Sequence, residues 1–143
     1  MFVGVGIGTQ SLKAVVCADG VTFPPALSGA MAPEWHAAAR GCYYGLAPSH
    51  GAGHMARAVL EGCAFAMRDV VERLTELGVP ARSLLLVGGG AKSALWTRIR
   101  ADVTGLTAEI RRHLDTAPVG AAVLAAVAAG GWTSVARGRC LDE

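Results

Sequence analysis

A stripe of apolar residues before Pro80 constrains this chain most, because it predicts a long amphipathic helix. Ser49 can cap the start of this helix, and Gly78 followed by Pro80 is typical of a helix end. The stripe recurs at spacings of three and four positions, the repeat of one helix face, at Met55, Val59, Cys63, Ala66, Val70, Leu74 and Leu77. The pattern therefore predicts many helical turns with one apolar side.

A strand and a second helix are predicted after this helix. The run Leu84–Val87 is uninterrupted and apolar, which is typical of a buried strand. Gly88–Gly90 then turns the chain into a helix over Ser93–Val103. The residues of that helix predicted to face inward are Leu95, Trp96, Ile99 and Val103.

A second strand and a third helix follow in the same order. Thr107–Ile110 is predicted as a short strand, and Asp115 or Thr116 as the cap of a helix that runs to Gly130 and Gly131. Strand, helix, strand and helix in succession predict an α/β layer with a parallel pair of strands.

The opening of the chain differs from the rest. Two apolar runs, Phe2–Ile7 and Leu12–Cys17, predict a β-hairpin at the edge of a larger sheet, and the Asp19–Gly20 turn is expected to start a third strand. The segment Val21–Ser49 contains four of the six prolines and is predicted to be irregular. A segment of that length without regular structure indicates a functional loop or a join.

Composition excludes several classes of protein. A 143-residue chain has room for one ordinary domain, and 52% hydrophobic residues exclude disorder. The net charge of +2, with scattered basic residues, is unlike a nucleic-acid binder. Residues 116–136 carry no charge and could span a bilayer, but they are rich in Ala, Gly and Val rather than Leu, Ile and Phe, which favours a soluble core.

The four cysteines have no CxxC spacing, and the opening lacks a secretory pattern, so a reduced, cytoplasmic protein is predicted. The apolar excess in so short a chain also predicts self-association through an exposed hydrophobic surface.

Two glycine-bearing turns are candidates for binding an anion. Backbone N–H groups in such turns can hold phosphate oxygens, and a helix N-terminus favours negative charge. The first turn, between the two opening strands, offers Gly8, Thr9, Gln10, Ser11 and Lys13. The second, between a strand and a helix, offers Gly88, Gly89, Gly90, Ala91, Lys92 and Ser93. Neither turn contains the G-K-[ST] triplet of a Walker A loop.

Other interpretations of these residues stay open. Gly88 and Gly90 with Glu109 resemble part of a dinucleotide fingerprint, although Ser93 occupies the place of its third glycine. A plain tight turn is the simpler interpretation.

His50 and His54 have a metal-ligand spacing of four, but Gly51 replaces the Glu of the H-E-x-x-H motif, so capping or packing is favoured. Three aromatic residues, Trp35, Tyr43 and Tyr44, are expected to pack a loop.

Taken together, the motifs resemble those of the FGGY carbohydrate kinases, most closely the xylulokinases. The resemblance rests on Leu27–Gly29, Pro33-x-Trp35, Ala39–Gly41, Gly41–Leu46 with His54–Gly62, Gly88–Trp96 and Ala117–Gly131. It implies an actin-like, ribonuclease-H-like ATPase fold of α/β class, represented by a partial C-terminal domain over residues 21–143. Residues 1–20 resemble the strand–turn–strand that faces the ATP phosphates at the start of the N-terminal domain.

The departures from the family affect catalysis. Gly6 stands where the family has an aspartate that helps to organise Mg²⁺, and Ser28–Pro33 departs from the family's S-G-E-R-x-P segment. Most of the N-terminal domain, with the sugar pocket and the catalytic aspartate, has no counterpart between Gly20 and Val21.

The resemblance thus implies ATP with Mg²⁺ as cofactors and D-xylulose as the substrate of the intact family. For this chain it predicts no catalytic or metal-binding residue. We expect an internally truncated kinase that is inactive or binds only nucleotide. The alternatives are a structural or interaction module and a Rossmann-type oxidoreductase fragment.

Overall fold

The chain divides into two compact units, which are described separately here. The first unit comprises residues 1–82 and 99–106, and the second comprises residues 83–98 and 107–143. The computed structural model describes residues 2–5, 14–17, 20–30, 33, 35–111 and 116–136.

The first unit opens with the predicted hairpin. Strands β1 (Phe2–Val5) and β2 (Ala14–Cys17) pair antiparallel, with Phe2 opposite Cys17. Among the described residues this hairpin is a two-stranded sheet, so the larger sheet expected around it is not seen. The prediction of a third strand after Gly20 is also wrong. Thr22 forms only an isolated antiparallel bridge, in which it exchanges two backbone hydrogen bonds with Tyr44.

The long helix is present as α1 (Ala52–Glu76). The prediction that Ser49 caps it is wrong, since Gly51 is the N-cap. The Nδ1 atom of His54 accepts a hydrogen bond from the Gly51 N–H at 3.2 Å. A side chain from inside the first turn thus satisfies a backbone donor at the start of the helix.

The end of α1 is formed by local chemistry, as predicted. Gly78 has a φ of 79°, in the left-handed region that glycine tolerates best. Its N–H donates to the Thr75 carbonyl, and the Val79 N–H donates to the Leu74 carbonyl. These two bonds form a Schellman motif, which satisfies carbonyl groups left open at the helix end.

The core of the first unit lies where α1 meets the irregular segment. Val21, Phe23 and Ala58 are buried together, and the Tyr43 ring lies 4.8 Å from that of Phe23. A Cβ at Gly62 would overlap the Phe23 carbonyl oxygen, so only glycine allows this approach.

Several apolar residues are more exposed than the pattern predicts. Tyr43 packs as expected, but Trp35 is 75% exposed and Tyr44 is 62% exposed. Leu74 and Leu77 on the stripe of α1 are also exposed, because the buried contact lies nearer the start of the helix, around Ala58 and Gly62.

The C-terminal part of α2 (Ala94–Thr104) belongs to the first unit and contacts α1. The Arg68 guanidinium donates to the Val103 carbonyl at 3.3 Å, which satisfies one of the last carbonyls of α2. Burial raises the pKa of the Cys63 thiol, and the positive charge of Arg100 partly opposes this effect. Among the described residues, Cys42 and Cys63 are free thiols.

The second unit contains the predicted parallel pair. Strand β3 (Ser83–Leu86) pairs with β4 (Thr107–Ile110), with Leu85 opposite Glu109. Helix α3 (Thr116–Ala128) follows and ends shortly before Gly130, whose φ is 75°. It has 13 residues, and no helix within the described ranges is long and apolar enough to cross a membrane.

Candidate functional site

The second glycine turn connects β3 to α2 and has two kinds of geometry. Gly88 has a φ of 76° and a ψ of −174°, a conformation available almost only to glycine. Gly89–Lys92 then forms a single 3₁₀ turn, in which the Ala91 N–H donates to the Gly88 carbonyl at 3.1 Å. This turn leads the chain directly into the N-terminus of α2.

Two glycines of the turn, Gly88 and Gly89, face open space where a side chain would begin. Among the described residues, no heavy atom would lie within 4 Å of a Cβ built on Gly88 or on Gly89. At Gly88 the backbone conformation alone explains the glycine. Gly89 is exposed and has no positive φ, so neither packing nor conformation demands a glycine there. The turn therefore leaves its backbone open to an approaching ligand.

Ser93 was predicted as the first residue of the helix, but α2 begins at Ala94 and Ser93 is its cap. Its hydroxyl accepts a hydrogen bond from the Trp96 N–H at 3.2 Å, and its carbonyl accepts one from Thr97 at 2.9 Å. The first N–H groups of an α-helix have no partner inside the helix, and the helix dipole makes this end positive. An anion beside the turn would therefore meet backbone donors.

The side chains around the turn are partly as predicted. Ala91 is buried and Ile99 of α2 is buried. Leu95 was expected to face inward, but it is 56% exposed, so that prediction is wrong. It lies in the first turn of the helix, directly beside the open glycine turn, where less of the chain covers it.

Lys92 is the charged residue of this turn. Lys92 is the last residue of the 3₁₀ turn and is exposed. A cation that directly follows a glycine triplet is the sequence signal for it, since the ammonium can supplement the backbone donors toward a phosphate.

The candidates of the first glycine turn, Gly8, Thr9, Gln10, Ser11 and Lys13, lie outside the described residues, as does Gly6. Their predicted contact with phosphate stays a prediction.

The two histidines of the metal-ligand spacing have capping roles, which confirms the favoured interpretation. The Nδ1 atom of His50 accepts a hydrogen bond from the Ala47 N–H at 2.9 Å, and that of His54 accepts one from Gly51. An Nδ1 atom that accepts must be unprotonated, which leaves the proton of a neutral imidazole on Nε2. Neither ring can then offer a lone pair to a metal without breaking its backbone hydrogen bond.

The dinucleotide alternative depended on Glu109. This residue lies in β4 with an exposed side chain, opposite Leu85 of β3. The strand order agrees with a βαβ unit, so the local geometry alone does not distinguish a dinucleotide site from a mononucleotide site.

Known proteins are similar to this chain over most of its length. A glycerol kinase from Gloeobacter violaceus is 42% identical over 114 residues, which are 79% of this chain and 23% of the relative. A xylulose kinase from Escherichia coli strain K12 is 40% identical over 113 residues, 78% of this chain and 23% of the relative. The chain thus spans about a quarter of the length of these curated relatives. Its sequence identity to the glycerol kinase and to the xylulose kinase is almost equal.

A solved structure agrees with the sequence matches. The crystal structure of Plasmodium falciparum glycerol kinase with ADP is similar to this chain with a TM-score of 0.68 and 31% identity, over 86% of this chain and 25% of that one. This similarity confirms the predicted actin-like ATPase fold and replaces the oxidoreductase alternative. A model of the FGGY family of carbohydrate kinases, C-terminal domain, matches residues 9–129. The chain therefore belongs to the FGGY family of carbohydrate kinases.

Proposed function

We propose that this chain binds ATP or ADP through the turn from Gly88 to Ser93, as the nucleotide-binding part of a sugar or polyol kinase. The observation that carries the proposal is the open, exposed Gly89 at a strand-to-helix turn. Support comes from the similar glycerol kinase, which was solved with ADP. Backbone donors of the turn and of α2 would face the anionic nucleotide, and Lys92 would add charge.

The test is a calorimetric titration with ADP and ATP, with NAD as a negative control. Gly89→Val should abolish ADP binding, because its branched side chain fills the space in front of the turn. The circular dichroism spectrum should stay unchanged, since a Cβ at this position meets no atom within 4 Å.

Gly53→Val is the matched control, because Gly53 also faces open space but lies in the first turn of α1. It should bind ADP like the unmodified chain. Equal ADP affinity in the Gly89→Val variant would place the nucleotide elsewhere and contradict the proposal.

We further propose that the chain does not phosphorylate D-xylulose. Phosphoryl transfer needs the acceptor held in line, a base near its hydroxyl and a metal that bridges the phosphates. In the family resemblance, the sugar site and the catalytic aspartate belong to the region without a counterpart between Gly20 and Val21. Losing both should cost more than the roughly 10²–10⁴-fold contributed by a general base.

The described side chains do not form a metal site of their own. Within the described ranges, no group of three or more His, Cys, Asp or Glu side chains lies where it could hold a metal ion. In the family the ion supplies charge neutralisation at the transferring phosphate. We assign no step to it here.

A coupled assay with ATP and Mg²⁺ measures sugar-dependent ADP release. D-Xylulose and glycerol serve as separate acceptors, because kinases for both match the chain. Neither should raise ADP release above a control without protein. Acceptor-dependent turnover that purifies with the chain would contradict the proposal, and the better acceptor would then identify the specificity.

A further inference from the structure

The apolar face of α2 is exposed at the end that adjoins the glycine turn. Ile99 and Leu95 are four residues apart, so their side chains lie on the same face of the helix. Ile99 is 5% exposed, whereas Leu95, one helical turn earlier, is 56% exposed. Side chains of a helix lean toward its N-terminus, and for Leu95 this is the direction of the turn from Gly88 to Ser93.

The glycine turn has apolar neighbours on both sides along the chain. Val87, which directly precedes Gly88, is 42% exposed, and Leu95 follows the turn in the first turn of α2. Lys92 within the turn is exposed and cationic. Sites for small molecules combine mostly apolar walls with a few polar groups that fix the orientation of the ligand. The surroundings of the turn therefore suit a ligand with an anionic part and an apolar part.

The start of α2 lacks the acidic side chain that often stabilises a helix N-terminus. Its first turn begins with Ala94, Leu95 and Trp96 and contains no acidic residue. A carboxylate at this position would offset the positive end of the helix dipole. With Lys92 directly before it, the start of α2 favours an anion that a ligand supplies.

We infer that Leu95 determines the affinity for the nucleoside part of the nucleotide, an inference that rests on the proposed function. The base packs against the Leu95 side chain, while the phosphates meet the backbone of the turn and Lys92. A ligand with phosphates alone leaves Leu95 in water. A nucleotide removes apolar surface of Leu95 from water, and the gain in affinity follows the area covered.

The test compares ADP with inorganic pyrophosphate, which has phosphates but no nucleoside. Calorimetric titration of the unmodified chain should give a lower dissociation constant for ADP than for pyrophosphate. Leu95→Ala should raise the dissociation constant of ADP about fivefold, because apolar contact area is lost, and should leave that of pyrophosphate unchanged. Lys92→Gln should raise both constants by the same factor of about three, since the ammonium group faces only the phosphates.

Two further variants separate contact with the ligand from support of the helix. Leu95→Met keeps an apolar side chain of similar volume and should bind ADP within about a factor of two of the unmodified chain. Leu74→Ala is the matched control, because Leu74 is also a helical leucine, 39% exposed, but belongs to the first unit. It should bind both ligands like the unmodified chain. The circular dichroism of Leu95→Ala should be unchanged, since alanine has the higher helix propensity.

The outcomes separate this inference from the proposed function. An unmodified chain that binds no ADP would overturn both. ADP binding that Gly89→Val abolishes but Leu95→Ala leaves unchanged would overturn the inference alone. An equal loss of affinity for ADP and pyrophosphate in Leu95→Ala would also overturn it, because the leucine would then support the turn rather than contact the nucleoside.

Discussion

Helix α1 and the turn before α2 both depend on glycine, but for opposite physical reasons. Gly62 lies inside α1 where the Phe23 carbonyl leaves no room for a Cβ. Gly89 lies in a turn where a Cβ would meet nothing within 4 Å. The first glycine is required by packing inside the chain, whereas the second keeps the backbone open toward the outside.

Gly41 is a second glycine at which packing leaves little room for a side chain. A Cβ on Gly41 would lie 2.8 Å from Cζ of Phe23 and 3.1 Å from the Pro24 carbonyl oxygen. Two glycines far apart in sequence therefore surround the same phenylalanine, one on the loop and one on the helix. The lesson is that a glycine in a family motif can serve the fold or a ligand, and only the surrounding atoms distinguish the two.

The substitution Gly62→Ala tests whether packing against the Phe23 carbonyl requires a glycine in α1. We expect it to lower the free energy of unfolding by about 3 kcal/mol, because the new methyl group must displace backbone rather than a flexible side chain. Urea denaturation followed by circular dichroism measures the change. A loss smaller than about 1 kcal/mol would show that the loop moves away from α1 at little cost.

The substitution Gly88→Ala tests conformation without packing. A Cβ there meets no atom, but the φ of 76° with a ψ of −174° is strained for any other residue. We expect the free energy of unfolding to fall by about 2 kcal/mol. Gly89→Ala is the control, and it should change stability by less than about 0.5 kcal/mol. Equal effects from the two variants would contradict the assignment of different roles to neighbouring glycines.

The substitution Gly53→Ala should have the smallest effect and the opposite sign. Gly53 is helical, exposed and surrounded by open space, so alanine adds helix propensity without a clash. We expect a gain of about 0.5–1 kcal/mol in the free energy of unfolding. Gly78→Ala is its counterpart at a φ of 79° and should be destabilising although its surroundings are equally open. A stabilising Gly78→Ala would refute the argument from conformation.

Local sequence signals predicted the elements of the second unit well. The bounds of β4 agree with the predicted strand, and β3 begins one residue before the predicted run. Ser93 caps α2 because its hydroxyl accepts a hydrogen bond from the backbone N–H of Trp96, three residues further along the chain. Such signals need no distant part of the chain.

The signals failed where a competing partner was nearby or where burial depended on distant residues. Ser49 is a good capping residue, but α1 begins only at Ala52. The Gly51 N–H donates its hydrogen bond to Nδ1 of His54 instead of to the Ser49 hydroxyl. Leu95 has the right spacing for the inner face of α2, yet the open turn beside it leaves it exposed. Spacing defines a helix face, but it does not define what covers that face.

By itself, the sequence determined the order of strands and helices, the ends of α1 and α3 at glycines, and the motifs that indicated the kinase family. These depend on hydrogen bonds and backbone conformations within a few residues. Tertiary structure alone decided that Gly62 meets Phe23 and that, within the part of the chain that the structure describes, no atom fills the space in front of Gly89. Each of these depends on atoms that are distant along the chain or absent beside it, and no local pattern encodes them.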